Sequence, residues 1–322
     1  MKNIFNKDWI KKFFSLILTF IVVQILVSTN IINDYLQATL STICINIILA
    51  VSLNLITGFT GQFSLGHAGF MSIGAYACAL ITMRMPTIYG FILGVFLGAI
   101  LAAIVGVLVG LPTLRLRGDY LAIATLGMSE IIRIIFENMH ITNGPAGLNG
   151  IPRFINWAWL FIFTAGTVLV ITNFLKSSHG RACISIREDE IAAEAMGINT
   201  TKYKVMAFTI GAFCAGIAGA VYASYFYFIK PNLFGFMKSI DILVIIVFGG
   251  LGSISGSILA AILLALISTY FQSFPEIRMI LYSLLLIIIM IFRPQGLMGS
   301  KEVSFSIFSK LGRMFKPEKG GE

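Results

Sequence analysis

The sequence predicts an all-α bundle of about ten membrane-spanning helices, several of them broken by glycine. Hydrophobic residues make up 57% of the 322-residue chain and charged residues only 11%, whereas about a quarter of the residues in soluble domains are charged. Apolar runs of roughly 18 residues or more, the length that crosses about 30 Å of hydrocarbon, recur along the chain. The runs lack a period-two alternation, which argues against a β-barrel.

The apolar runs place the crossings along the chain. They lie near residues 13–28, 36–56, 65–82, 88–111, 119–137, 156–175, 205–229, 241–251, 253–272 and 278–292. The first run resembles a signal peptide but lacks a small-residue cleavage site, so we expect it to remain as a helix. The stretch 241–272 is long for one helix and is interrupted by glycines, which predicts two crossings with the first one short. A surface or re-entrant helix in place of one crossing stays open.

The basic residues give this topology an orientation. Most of the 23 Lys and Arg residues fall in the segments that the count places in the cytoplasm, at 1–12, 112–118, 176–204 and 293–322. This is the distribution that the positive-inside rule requires, so the net charge of +9 indicates topology rather than nucleic-acid binding. The chain then divides into a cytoplasmic tail at 1–12, a membrane domain at 13–292 with a cytoplasmic loop at 176–204, and a basic cytoplasmic tail at 293–322.

A glycine-rich break near residue 60 is the first candidate site. Glycines recur at 58, 61, 66, 69 and 74 around polar side chains, and a helix starting near Ser64 would offer free N–H groups to an anion such as a carboxylate. Close helix packing is the alternative, and for Gly66, Gly69 and Gly74 it is favoured. Together with the second glycine-rich break near 250, the candidate pathway residues are Asn54, Gly58, Gly61, Gln62, Ser64, His67, Gly249, Gly250 and Gly252.

Charged residues within the spans have structural explanations. Glu130, Arg133 and Glu137 lie at i,i+3 and i,i+4 spacing, which favours mutual neutralisation over ion transport. Asp119 and Asp241 each open an apolar run and are expected to cap a helix. The four cysteines and three histidines show no metal-ligand spacing, so we expect no metal site.

The loop at 176–204 is the second candidate site. Good helix formers predict one amphipathic helix over 181–196, with an apolar stripe at Ile184, Ile191, Ala195 and Ile198 and a stop at Gly197. Its acidic cluster favours docking into a groove of a protein over lying on a membrane. The candidate coupling residues are Arg181, Arg187, Glu188, Asp189, Glu190, Ala193, Met196 and Gly197.

Several motifs in order along the chain resemble one family. They are the glycine-rich stretch 54–76, LRGDYLAIATL at 116–126, GPAGL at 144–148, IREDEIAAEAMG at 186–197, FGGLGSISG at 248–256 and RPQGL at 293–297. Together they are similar to branched-chain amino-acid ABC transporter permeases of the LivM type. The resemblance runs from about residue 40 to residue 298, and it is the collinear set rather than any single motif that makes it specific.

The resemblance implies a permease subunit that imports leucine, isoleucine and valine across the bacterial inner membrane. It implies a LivH-type second permease subunit, two cytoplasmic ATPase subunits that carry ATP and Mg, and an extracytoplasmic substrate-binding protein. The loop near 181–199 would rest on an ATPase subunit. No GxxxxGK[ST] phosphate loop occurs in the sequence, so we expect no enzyme activity and no cofactor on this chain.

Three other functions compete with this interpretation. Permeases of urea or short-chain amide importers have sequence motifs much like those of branched-chain amino-acid permeases. A secondary transporter driven by an ion gradient would need intramembrane acids or a cation cage, and it would not need a docking loop. A membrane enzyme would need clustered catalytic residues, whereas His67, His140 and His179 lie far apart in the sequence.

Overall fold

A computed structural model describes residues 18, 20–29, 33–116, 118–271, 280, 284, 287–288, 291–293 and 296–299. The predicted N-terminal tail at 1–12 lies outside these residues, and so does most of the tail at 293–322. Most of the tenth apolar run, 278–292, is also outside them.

The described chain is mainly helical. Its helices are α1 (Asp34–Asn54), α2 (His67–Arg84), α3 (Ile88–Thr113), α4 (Asp119–Asn138), α5 (Trp157–Lys176), α6 (Ser178–Glu188), α7 (Glu190–Ala195), α8 (Thr200–Phe226), α9 (Phe236–Gly249) and α10 (Ile254–Tyr270). Residues 20–28 form a further helical segment. Two short strands, β1 (Leu148–Asn149) and β2 (Phe228–Ile229), pair antiparallel, with Leu148 opposite Ile229.

The predicted helical membrane bundle is present, but ten spans are not confirmed. Within the described residues, five segments are long and apolar enough to cross a membrane: Asp34–Phe59, Ile88–Thr113, Trp157–Lys176, Thr200–Phe226 and Pro231–Gly249. Ile254–Tyr270 is apolar but shorter. Helix α4 carries a charged trio, and α2 is rich in Gly and Ala between His67 and Arg84. Helices α2 and α4 are therefore less apolar than the prediction of ten spans assumed.

Small residues let α8 pack at the centre of the bundle, against α2 and α3. A Cβ on Gly219 would lie 1.8 Å from the Met71 carbonyl oxygen, and one on Gly74 would lie 2.0 Å from the Gly216 carbonyl oxygen. Side chains at these positions would hold the helices apart. Close approach of this kind is how membrane helices associate without a hydrophobic driving force between them.

The bundle has two ends, which we name for use below. The ribbon end carries β1 and β2 and the connections 139–156 and 227–235. The junction end carries the loop 176–204 and both glycine-rich breaks, since Arg187 of the loop donates a hydrogen bond to the Gly58 carbonyl oxygen at 2.9 Å. The breaks and the loop, predicted separately, therefore lie together.

The break near residue 60 differs in detail from the prediction. Helix α1 continues as a π-helix over Leu55–Phe59, residues 61–66 have no regular secondary structure, and α2 begins at His67 rather than near Ser64. The Leu65 N–H donates to the Thr125 hydroxyl at 3.1 Å, so a side chain of α4 binds the segment that precedes α2.

Candidate functional site

Asn54 organises the junction end from the last turn of α1. Its side chain is fully buried. The amide nitrogen donates to the Ser253 carbonyl oxygen at 2.9 Å and to the Ser257 hydroxyl at 2.8 Å, while the amide oxygen accepts from the Gly252 N–H at 2.9 Å. Asn54 therefore holds the turn between α9 and α10 against the end of α1.

Two glycines allow these segments to meet. A Cβ on Gly58 would lie 1.8 Å from the Asn54 amide oxygen and 2.4 Å from the Gly252 nitrogen. Gly252 has φ +85, a conformation that glycine adopts readily. We call this contact of Asn54, Gly58 and Gly252, together with the nearby Gly61 and Gly250 of the same two segments, the glycine junction.

Arg187, in the last turn of α6, lies directly on the glycine junction. Besides its bond to the Gly58 carbonyl, its Nε donates to the Glu188 carboxylate at 3.1 Å. A Cβ on Gly61 would lie 3.2 Å from the Arg187 Cγ, and one on Gly252 would lie 2.8 Å from its Nη1. A residue predicted for coupling thus binds residues predicted for the pathway.

The segment after the tenth run also reaches this place. The Leu297 N–H donates to the Phe248 carbonyl oxygen at 2.9 Å, and the Met298 N–H donates to the Gly249 carbonyl oxygen at 3.2 Å. A Cβ on Gly296 would lie 2.6 Å from the Gly250 Cα. Four motifs that are separate in the sequence, 54–76, 186–197, 248–256 and 293–297, therefore converge at one end of the bundle.

The loop contains two helices where one was predicted over 181–196. Asp189 has an extended backbone and separates α6 from α7. Its carboxylate accepts from the N–H groups of Ile191 at 2.9 Å and Ala192 at 3.0 Å, so it caps α7. An acidic side chain that competes for the backbone in this way ends one helix and starts the next.

Two other acidic side chains of the loop are bound within the chain. The Lys204 ammonium donates to the Glu190 carboxylate at 2.6 Å, and the Thr200 hydroxyl donates to the Glu194 carboxylate at 2.7 Å. Glu188, which pairs with Arg187, keeps 67% side-chain exposure. The acidic cluster therefore supports the loop's own structure as well as presenting charge.

Helix α7 and the residues after it expose a group of apolar side chains. Ile191 is 74% exposed and Met196 is 83% exposed, with Ala192, Ala195 and Gly197 exposed beside them. The predicted apolar stripe divides, since Ile184 packs against the core while Ile191 and Ala195 point outward. Among the other predicted coupling residues, Ala193 is buried, whereas Arg181 is exposed and donates to the Lys176 carbonyl oxygen at 2.9 Å.

Unpaired polar atoms follow α2 through the bundle. Gln62, Ser64 and His67 are all buried. The His67 Nε2 lies 2.8 Å from the Ser52 hydroxyl, but its Nδ1 and both amide atoms of Gln62 have no hydrogen-bond partner among the described residues, and neither do the hydroxyls of Ser129 and Tyr76. Leaving a buried polar group unpaired costs about 1–3 kcal/mol, which makes this line a candidate for hydration or ligand contact.

The charged trio of α4 is neutralised as the spacing predicts. Arg133 donates to Glu130 and to Glu137, each at 2.7 Å, and also to the Asn232 side-chain oxygen at 3.1 Å. Glu130 accepts from the Phe236 N–H at 3.1 Å, so it caps α9 from a neighbouring helix. Over the part of the chain described, no group of His, Cys, Asp or Glu could hold a metal ion.

Comparison with known proteins gives a family for this architecture. A family model described as the permease component of the branched-chain amino acid transport system matches residues 35–290. The LivM permease protein of Escherichia coli K12 is 38% identical over 303 residues, which cover 79% of this chain and 68% of LivM. The LivH permease protein of the same strain is 27% identical over 290 residues, which cover 80% of this chain and 92% of LivH.

A more distant relative extends the similarity beyond bacteria. The probable LivM permease protein of Methanocaldococcus jannaschii is 25% identical over 259 residues, which cover 72% of this chain and 71% of that protein. No solved structure matches the chain. The family match covers most of the chain and includes all but the last of the motifs that the fold brings to the junction end. The chain therefore belongs to the family of permease components of branched-chain amino acid transport systems.

Proposed function

We propose that this chain is the inner-membrane permease subunit of an importer for leucine, isoleucine and valine. The LivM and LivH relatives are named as high-affinity branched-chain amino acid permeases, and the five apolar spans agree with a multi-pass membrane protein. The junction end carries Arg115, Lys176, Arg181, Lys202 and Lys204, which by the positive-inside rule favours a cytoplasmic position for it and cytoplasmic termini.

The partners follow from the proposed function. A LivH-type subunit would complete the permease, two ATPase subunits would supply ATP and Mg chemistry, and an extracytoplasmic binding protein would deliver the amino acid. The apolar face around Ile191 and Met196 supports a docking role for the loop, since exposed apolar patches on a soluble segment mark interaction surfaces.

The hydrogen bond between Arg187 and the Gly58 carbonyl carries the mechanism that we propose. A displacement of α6 and α7 by the ATPase would act through Arg187 on the end of α1 and, through Gly252, on the turn between α9 and α10. Those segments border the line of buried polar atoms at Gln62 and His67. ATP binding on the partner would thereby bias the bundle between two states of unequal access.

Reconstitution tests this function directly. Proteoliposomes would hold the chain with its second permease and ATPase subunits, with ATP inside and binding protein plus labelled ligand outside. We expect ATP-dependent accumulation of leucine and none of urea. Accumulation of urea without leucine would show that the chain belongs to a urea or amide importer. Leucine uptake driven by an ion gradient without ATP would show a secondary transporter.

A further inference from the structure

A cavity of about 270 Å³ lies at the junction end, between the loop 176–204, the linker between α1 and α2, and the connection between α3 and α4. Its volume falls just below the range of ~300–1,000 Å³ that is usual for drug-sized ligands. The occupant that it could enclose is therefore a small molecule. Nothing in the coupling mechanism above requires a cavity at this position.

One wall of the cavity carries charges of both signs. Arg187 and Lys204 line it together with Glu188, Asp189 and Glu190. Each cation already has a carboxylate beside it, since Arg187 Nε lies 3.1 Å from Glu188 and Lys204 Nζ lies 2.6 Å from Glu190. Asp189 adds a third carboxylate, which accepts from the backbone N–H groups of Ile191 and Ala192. A zwitterion can meet both signs on this wall, with its carboxylate at Lys204 and its ammonium group at the acidic side chains.

Gln62 provides an independent indication of a ligand. It lines the same cavity and is only 3% exposed, yet neither its amide oxygen nor its amide nitrogen has a partner in the described structure. Buried amides are nearly always hydrogen-bonded. A ligand with one acceptor and one donor, such as a carboxylate next to an ammonium group, would satisfy both atoms.

The opposite wall is aliphatic. It consists of Leu114, Leu116, Leu121 and Ile186, of which all but Leu116 are buried. A wall of branched hydrocarbon side chains favours a branched hydrocarbon ligand through the area that both remove from water. The cavity thus combines a zwitterion-compatible polar side with an apolar side.

We propose that this cavity binds a free amino acid with a branched aliphatic side chain, at a site where the imported substrate rests before it leaves for the cytoplasm. The identification of the side chain rests on the proposed function. The ligand carboxylate accepts from the Gln62 amide and Lys204, its ammonium group donates to the Gln62 oxygen and the loop carboxylates, and its side chain contacts Leu121 and Leu116.

Binding of labelled leucine to the assembled transporter in lipid nanodiscs, with no binding protein present, tests this site. We expect saturable binding that Gln62→Met weakens at least tenfold, because methionine keeps the length and loses both amide groups. Leu116→Ala, a change at an exposed wall residue outside the line of buried polar atoms, should weaken binding several-fold. The matched control is Gln24→Met, since Gln24 is exposed and lies far from the cavity.

Two competitors test the zwitterion. Leucinamide lacks the carboxylate and 4-methylpentanoate lacks the ammonium group, so each should displace leucine at least tenfold more weakly than valine does. Equal competition by either, or leucine affinity unchanged in both Gln62→Met and Leu116→Ala, would overturn the site. Should Gln62→Met fail to assemble, Leu116→Ala decides. Normal leucine uptake by the wild type in the same preparation would show that only the site, and not the proposed function, had failed.

Discussion

At the scale of single residues, the glycine junction depends on atoms that a side chain would displace. Asn54 uses both ends of its amide to hold the turn after α9, and Gly58 leaves the space in which Gly252 approaches it. The sequence pointed to these residues because they are small or polar within apolar runs. It did not show that Asn54 and Gly252 bind each other, since 198 positions separate them.

Gly58→Ala should destabilise the protein. The added Cβ would lie 1.8 Å from the Asn54 amide oxygen, so the junction has to open, and overpacking of this kind costs about 1–3 kcal/mol. Thermal unfolding of the purified chain should show a lower Tm. The control is Gly166→Ala in α5, where nothing lies within 4 Å of the new Cβ and the gain in helix propensity is up to about 1 kcal/mol. Equal Tm values for the two variants would show that the junction is not tightly packed.

Residue patterns also pointed to the line of buried polar atoms along α2, but they did not show which of its atoms lack hydrogen-bond partners. Gln62, Ser64 and His67 stood out as polar side chains between two apolar runs, and all three are buried. The hydroxyls of Ser129 and Tyr76, which like the Gln62 amide have no hydrogen-bond partner among the described residues, carried no such signal because a lone hydroxyl is common in membrane helices. Lys204 was likewise missed, because only the fold brings it to Glu190.

At the scale of elements, the loop 176–204 contains two helices, and the second of them exposes an apolar face at Ile191 and Met196. Replacing Asp189 would remove the cap of α7 and would confuse loss of structure with loss of docking. Changes on the exposed face avoid this. Ile191 is 74% exposed and Met196 is 83% exposed, so replacing them leaves the core of the bundle intact.

The double variant Ile191→Asp with Met196→Asp should reduce association with the ATPase subunit at least tenfold. Burying one aliphatic side chain contributes about 1.5–3 kcal/mol, and 1.4 kcal/mol corresponds to tenfold in affinity. Co-purification of the two subunits in detergent, at a series of ATPase-subunit concentrations, measures the change in affinity. Thr201→Asp is the control, because Thr201 is exposed and an acid in the first turn of α8 is favourable. Unchanged association of the double variant would remove the docking role from this face.

The orientation of the loop can be tested by labelling an introduced cysteine, because the native cysteines are expected to react little. The four native cysteines are buried, and burial raises the pKa of the Cys183 thiol to about 11, so at pH 7.5 this thiol, lying in the loop itself, is almost wholly protonated and unreactive. In the chain expressed without the ATPase subunits that would cover this face, a cysteine introduced as Met196→Cys should react with a membrane-impermeant maleimide only from the cytoplasmic side. Labelling of this cysteine from outside intact cells would show that the loop lies on the external side of the membrane.

At the scale of the whole molecule, apolar length predicted most helices to within a few residues, as for α3 and α5. Glycine clusters predicted both breaks. What length and composition did not determine was which helices cross fully, because α2 and α4 carry polar or small residues that only neighbouring helices make tolerable. The convergence of the loop with both breaks was also beyond sequence reasoning, since Arg187 and Gly58 are 129 positions apart.

That convergence makes one measurement decisive: leucine uptake and ATP hydrolysis measured together in proteoliposomes holding the complete transporter with Arg187→Ala. If the loop acts on the bundle through the Gly58 carbonyl, the variant still assembles and hydrolyses ATP, but the amount of leucine taken up per ATP falls at least tenfold. The control is Arg115→Ala, which removes an exposed arginine at the same end and should leave the ratio of leucine to ATP unchanged. An Arg187→Ala transporter that moves as much leucine per ATP as the wild type would contradict the account.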